Sequence, residues 1–121
     1  MASHGYSGIK KEIDAMPRVD ATQDTDYSSE VTTNGRSGII TMGPDSEQVV
    51  AGASVRFTVI NDKVDLYSIV MLTCEYPPAN GEFICSVSAV RKGSYDIDVR
   101  NIGSATSSNT HSPKIHYLVI N

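Results

Sequence analysis

The sequence predicts an all-β fold: an antiparallel, jelly-roll-like sandwich preceded by an extended N-terminal arm. Residues 37–121 contain short runs in which apolar and polar residues alternate, and turn residues separate these runs every 8–15 positions. A period of two is typical of half-buried strands. Residues 1–36 lack this alternation and are mostly polar. We therefore divide the chain into an arm over residues 1–36 and a sandwich domain over residues 37–121.

The arm contains one short amphipathic pattern. Ile9, Ile13 and Met16 lie at i, i+4 and i+7, so they would share one face of a helical segment that ends at Pro17. A helix this short is marginal on its own in water. These three residues therefore either dock on a partner or belong to an unstructured terminus. Residues 19–38 carry few apolar side chains and are expected to bury too little to order themselves.

The first strands of the domain are bounded by strong turn signals. Residues 39–42 form a short strand that ends at Gly43-Pro44-Asp45. Residues 54–60 alternate and end at the turn Asn61-Asp62-Lys63. The side chains predicted to face inward from this second strand are Val55, Phe57 and Val59.

Two later strands are apolar on both faces. In residues 67–75, Val70 and Leu72 occupy one face and Ile69 and Met71 the other. One face of a small two-layer sandwich normally meets water, so a second subunit is expected to cover the extra apolar face. The final strand, residues 114–120, repeats this pattern. The residues predicted to lie at a subunit contact are Ile69, Met71, Leu118 and Ile120.

Between these two strands the sequence predicts two hairpins. In the first, Cys74 would lie opposite Cys85 and Tyr76 opposite Phe83, because that register places one apolar ladder on a single face. A chain without a secretion signal should keep the two cysteines as buried thiols, with a disulfide as the alternative. The second hairpin turns at residues 91–94 and continues into residues 95–100. Its inward side chains are predicted to be Tyr95, Ile97 and Val99.

Composition limits the function classes. The 121 residues carry a net charge of −4, which argues against nucleic-acid binding, since that usually requires a basic face. The first residues have neither the basic nor the apolar region of a secretion signal, and the longest apolar-rich stretch, Leu66–Cys74, is too short to span a bilayer. We therefore expect a soluble chain made in the cytoplasm, with no membrane partner.

The sequence offers few candidates for chemistry, and none of its motifs is catalytic. The three histidines, His4, His111 and His116, are scattered, and two cysteines are too few for a metal site. We therefore predict no enzyme activity, no catalytic residues, no bound metal and no cofactor. Asp96 and Asp98 share a strand face and could contribute to a calcium site, but a solvated polar face is the simpler interpretation. Tyr76, beside Pro77 and Pro78, is the candidate for glycan contact.

Residues 50–121 resemble small β domains of tailed-phage virions. The resemblance lies in Ala51-Gly52-Ala53-Ser54-Val55, Lys92-Gly93-Ser94-Tyr95-Asp96-Ile97 and the terminal Ile115-His116-Tyr117-Leu118-Val119-Ile120. These runs are similar to the glycine-serine-aromatic hairpin and closing aromatic-aliphatic strand of phage fibre knobs and head decoration proteins. Such domains resemble jelly rolls of the tumour-necrosis-factor and C1q type, and they are commonly trimeric.

The resemblance implies a homotrimeric capsid decoration (cement) protein on the virion surface. Its partner would be the major capsid protein, and its arm would run over neighbouring coat subunits. The absence of shaft repeats favours this interpretation over a long tail fibre. The alternative is a tail-fibre or tail-tip knob that binds a host receptor or glycan. A small enzyme is a remote third reading.

Overall fold

The computed structural model describes residues 17–44, 47–77 and 81–121 of the chain. These residues form eight strands and no helix, so none of them belongs to a helix that could cross a membrane. The strands make two sheets packed against each other, which confirms the prediction of an all-β sandwich. In chain order they are β1 (Ala21–Thr22), β2 (Val31–Thr32), β3 (Ser37–Thr41), β4 (Ser54–Ile60), β5 (Ile69–Glu75), β6 (Phe83–Arg91), β7 (Ser94–Asn101) and β8 (Lys114–Ile120).

Each sheet has four strands in the described part of the chain. The first sheet has the order β1-β3-β8-β5 and the second has the order β2-β4-β7-β6. The six longer strands pair antiparallel, as predicted. The two-residue strands β1 and β2 pair in parallel with β3 and β4. Both sheets are therefore mixed, which the sequence did not indicate.

The core lies between the sheets and follows the predicted alternation. On β4, Phe57 and Val59 are buried, and Val55 packs beside them half-buried. Every second side chain of β7 and β8 is buried, because one face of each strand packs against the opposite sheet. The fully or almost fully buried residues of these two strands are Tyr95, Ile97, Val99, Ile115, Tyr117 and Val119.

The N-terminal segment from residue 17 to residue 36 is part of the sandwich. Tyr27 and Val31 are buried in the core, with 4% and 5% of their surface accessible to solvent. The expectation that residues 19–38 bury too little to order themselves is therefore wrong. The few apolar side chains fall at the right places, and buried polar groups such as Gln23 find backbone partners. The boundary expected after residue 36 does not separate an arm from the sandwich within the described residues.

The hairpin predicted between β5 and β6 is also wrong. Strand β5 pairs with β8 in the first sheet, and β6 pairs with β7 in the second, so the chain crosses from one sheet to the other between them. The two residue pairs predicted to face each other, Tyr76–Phe83 and Cys74–Cys85, are nevertheless in contact. The rings of Tyr76 and Phe83 meet edge to face with centroids 4.7 Å apart, and the thiols of Cys74 and Cys85 make a hydrogen bond. These pairs join two sheets instead of one ladder.

The hairpin between β6 and β7 forms as predicted. Strand β6 ends at Arg91 and β7 begins at Ser94, so Lys92 and Gly93 make the turn. Gly93 has a φ of 86°, a conformation that glycine adopts without steric cost. The backbone of Gly93 accepts a hydrogen bond from Asn61 and donates one to Val64, which fixes the turn against the loop after β4.

Candidate docking face

The outer side of the first sheet carries a block of four apolar residues. Ile69 lies beside Ile120 and Met71 beside Leu118 in the register of β5 and β8. Cross-strand neighbours of this kind have Cβ atoms about 4.5–5.5 Å apart. Because Ile69 and Met71 are two residues apart on one strand, the four side chains form a continuous square. We call these four residues the outer patch.

The outer patch is exposed to solvent. Ile69 retains 59% of its exposure, Met71 55% and Ile120 41%, while Leu118 is half-buried. The alternate residues of the same strands point into the core, as Val119 and Tyr117 do. The structure therefore brings together all four residues that the sequence predicted at a subunit contact. A patch of this type is a common feature of protein interaction sites.

Two further exposed apolar residues precede β5 and were not singled out from the sequence. Leu66 and Tyr67 lie in the turn that leads into the strand, and Tyr67 is 91% exposed. A side-chain hydrogen bond between Ser68 and Asn121 ties this turn to the end of β8. The available signal was the continuation of the i, i+2, i+4 series Tyr67, Ile69, Met71 beyond the start of the strand.

The other end of the same outer face is polar. His116 and Glu75 are joined by a hydrogen bond of 2.7 Å between Nε2 and Oε2, and Lys114 lies opposite Glu75. The hydrogen bond with His116 lowers the pKa of the Glu75 carboxyl from its usual value. His116 is exposed on this face. The face is thus divided into an apolar end and a charged end.

A cleft of about 560 Å³ lies beside this polar end. Tyr76 and Pro77 give it an apolar wall, and the hydroxyl of Tyr76 accepts a hydrogen bond of 3.0 Å from the backbone N–H of Ser108. On the loop before β8, Thr110 Oγ1 lies 3.0 Å from His111 Nδ1. The remaining lining residues are Thr41, Glu75, Ser112 and Lys114. This mixture of an aromatic wall with hydroxyl and charged groups is suited to a polar, hydroxylated ligand.

The aspartates considered for calcium are held by arginines. On the second sheet, Arg56 binds both carboxylate oxygens of Asp98, at 2.5 and 3.0 Å. Arg91 likewise binds both oxygens of Asp96, at 3.0 and 2.8 Å. These hydrogen bonds lower the pKa values of both aspartates. Within the described ranges, His, Cys, Asp and Glu form no group of three or more that could hold a metal ion.

The remaining predicted contact residues, Ile9, Ile13 and Met16, lie outside the described residues. Comparison of the chain with known protein families, with curated proteins and with solved structures gives no match. The functional assignment therefore rests on the chain's own residues and on the resemblance described above.

Proposed function

We propose that this protein is a capsid decoration protein of a tailed phage, which binds the outer shell and stabilises it mechanically. The outer patch is the observation that supports a docking role. Four adjacent large apolar side chains occupy one sheet face, and nothing in the described part of the chain covers them. Burying such a side chain on a partner is worth roughly 1.5–3 kcal/mol.

The particular class comes from the resemblance. The resemblance implies that the protein acts on the capsid shell, binds the major capsid protein and assembles as a homotrimer. The route of the chain is compatible with a jelly roll, because the connections β3–β4, β4–β5, β5–β6 and β7–β8 each pass from one sheet to the other. In this proposal Ile9, Ile13 and Met16 add a second contact on a neighbouring coat subunit.

Immunogold electron microscopy of virions that carry the chain tests the location. Gold on the head supports the decoration role, and gold confined to the tail tip overturns it. Binding to undecorated shells then tests the docking face with the variant Ile120→Lys. The matched control is Ile84→Lys, which changes an isoleucine of 52% exposure on a strand of the other sheet.

The expected result separates the two variants. Ile120→Lys should weaken shell binding by roughly tenfold or more, because about 1.4 kcal/mol of lost burial corresponds to a factor of ten. Ile84→Lys should bind as the unmodified protein does. Equal binding by all three proteins would show that the outer patch is not the docking face.

The second candidate function, a tail-tip knob that binds a glycan, is favoured by the cleft beside Tyr76. Its aromatic wall could stack against a sugar ring, and its hydroxyl and charged groups could hydrogen-bond the sugar hydroxyls. A panel of immobilised bacterial polysaccharides is the appropriate probe. Lys114→Ala, inside the cleft, should abolish binding to a captured polysaccharide, while Ile120→Lys should leave it intact. Absence of binding across the panel, with gold on the head, would exclude this function.

A further inference from the structure

The four edge strands of the two sheets are not equally protected against pairing with a strand of another chain. Edge strands present unpaired N–H and C=O groups, and proteins commonly blunt them by making them short, bulged or charged. Strands β1 and β2 are two residues long. Strand β6 has a bulge between Val87 and Ala89 and ends at Arg91. Strand β5 is the fourth edge; it is neither short nor bulged, and its only charged residue is the terminal Glu75.

The outer edge of β5 is suited to further pairing. The strand has seven residues, contains no proline, lysine or arginine, and pairs with β8 without a register shift. In the described part of the chain, its backbone is hydrogen-bonded to β8 alone. Its single charged residue, Glu75, lies at one end. Two patch residues, Ile69 and Met71, lie on this same strand, so the open edge adjoins the outer patch.

We propose that two copies of this chain pair through β5, antiparallel and about a two-fold axis. The edge is its own complement, because an antiparallel copy of the same strand aligns donors with acceptors. The antiparallel direction places the two Glu75 side chains at opposite ends, whereas a parallel pair would set these like charges side by side. Pairing joins the first sheets of both copies and sets their outer patches next to each other on one surface.

This pairing does not depend on a shell, and it differs from the proposed function in the oligomeric state of the protein. A two-fold contact of one strand with itself closes at two copies, whereas the resemblance implies three. The free protein should therefore have twice the chain mass of 13.0 kDa. Light scattering coupled to size exclusion measures that mass. A monomer at micromolar concentration, or a trimer, would overturn the pairing.

A charge-swap experiment identifies the strand involved. Thr73 is exposed and lies one residue from Leu72, the middle of β5, so a two-fold axis brings the two copies of Thr73 close together. Thr73→Lys or Thr73→Glu alone should raise the dimer dissociation constant by roughly tenfold or more, because two like charges then lie diagonally across the axis, about 7–8 Å apart. An equimolar mixture of the two variants should restore the dimer, since opposite charges then meet.

The control is Thr22→Lys, an exposed threonine on β1 at the opposite edge of the same sheet, which should leave the dimer unchanged. Circular dichroism establishes that each variant is folded. Hydrogen exchange supplies a test without mutation: amides of β5 should lose protection on dilution below the dissociation constant, while those of β6 keep theirs. Dimers of undiminished stability for both Thr73 variants, or no recovery in the mixture, would rule out pairing through β5.

Discussion

Three oxygen atoms connect the N-terminal segment to the last strand. The carbonyl of Val19 lies 2.6 Å from the Tyr117 hydroxyl and 2.8 Å from Thr33 Oγ1, and the two hydroxyls are 2.7 Å apart. Each hydroxyl has one hydrogen, so two hydrogen bonds join the three atoms. Either both hydroxyls donate to the carbonyl, or one donates to it and accepts from the other. The burial of this group raises the pKa of Tyr117.

Removing the Tyr117 hydroxyl should remove one of these two hydrogen bonds, while Thr33 Oγ1 still donates to the carbonyl of Val19. We expect Tyr117→Phe to lower the free energy of unfolding by about 0.5–1.5 kcal/mol, measured by urea denaturation. Tyr67→Phe, at a side chain that is 91% exposed, is the matched control and should have almost no effect. Equal stabilities of the two variants would mean that the three-oxygen contact contributes nothing.

Asp96 predicts a pH dependence of stability. Arg91 and Thr58 donate hydrogen bonds to its carboxylate and lower its pKa in the folded protein below the unfolded value of about 3.9. The unfolded chain therefore binds the proton more readily. The stabilisation is complete above the unfolded pKa and is lost as the pH falls through the folded pKa.

The variant Asp96→Asn isolates this contribution. It should cost about 1.5–3 kcal/mol at pH 6, the range for hydrogen bonds to charged groups, and clearly less at pH 3. Urea denaturation at both values measures the difference, with the exposed Asp62→Asn as the control. A loss that is the same at both pH values would contradict the assigned role of the carboxylate.

The two cysteines contact each other as free thiols across the sheets. The Cys74 thiol donates a hydrogen bond to Cys85, and this bond and the burial of the site raise the pKa of Cys74. Such thiols pack as small apolar groups. We expect reducing agent to leave the melting temperature of freshly purified protein unchanged, and the double variant Cys74→Ala, Cys85→Ala to lose only modest stability. A large fall in melting temperature with reductant would reveal a disulfide.

At the scale of elements, close packing at Gly38 shows how the N-terminal segment is held. A Cβ atom at Gly38 would collide with the carbonyl of Val19, and one at Gly35 would lie 2.6 Å from Val19 Cγ2. The segment therefore lies directly against β3 and the turn before it. Gly38→Ala must displace it, at a cost of about 1–3 kcal/mol typical of overpacking.

Two truncations test this element. Removal of residues 1–16 keeps every contact among the described residues, and we expect it to preserve the melting temperature. Removal of residues 1–30 takes away β1 and the buried Tyr27, and it should cost at least about 3 kcal/mol, the lower value for losing a large buried aromatic side chain. Thermal unfolding followed by circular dichroism compares them. A shorter chain as stable as the longer one would show that residues 17–30 do not belong to the fold.

The alternating strands were predictable from the sequence. The packing of segment 17–36 and the partners of β5 and β6 were not. Strands β4 and β7 alternate clearly, and both were predicted. Segment 17–36 was missed because its order depends on Tyr27 and Val31 and on buried polar groups whose partners are far apart in sequence. The β5–β6 hairpin was predicted because its register would place one apolar ladder on a single face, but the two strands pair with β8 and β7 in opposite sheets.

At the scale of the whole molecule, the candidate docking face was more predictable than the sheet order. The apolar residues on both faces of β5 and β8 predicted all four residues of the outer patch. Their arrangement in one square depended on β5 lying next to β8, a pairing between strands about 45 residues apart. The cleft depended on the loop before β8 returning to Tyr76, which no local pattern indicates.

The position of β8 has a consequence for how the protein is made. It is the last strand in chain order, yet it lies between β3 and β5 and supplies pairing partners to both. When the ribosome has made only residues 1–113, strand β8 is missing between β3 and β5. The apolar side chains of the first sheet are then exposed to solvent. Folding should begin only after residues 114–120 emerge, so a chain stalled after Pro113 should remain sensitive to protease while the released protein resists it. The time between those two events is when this protein is most exposed to aggregation.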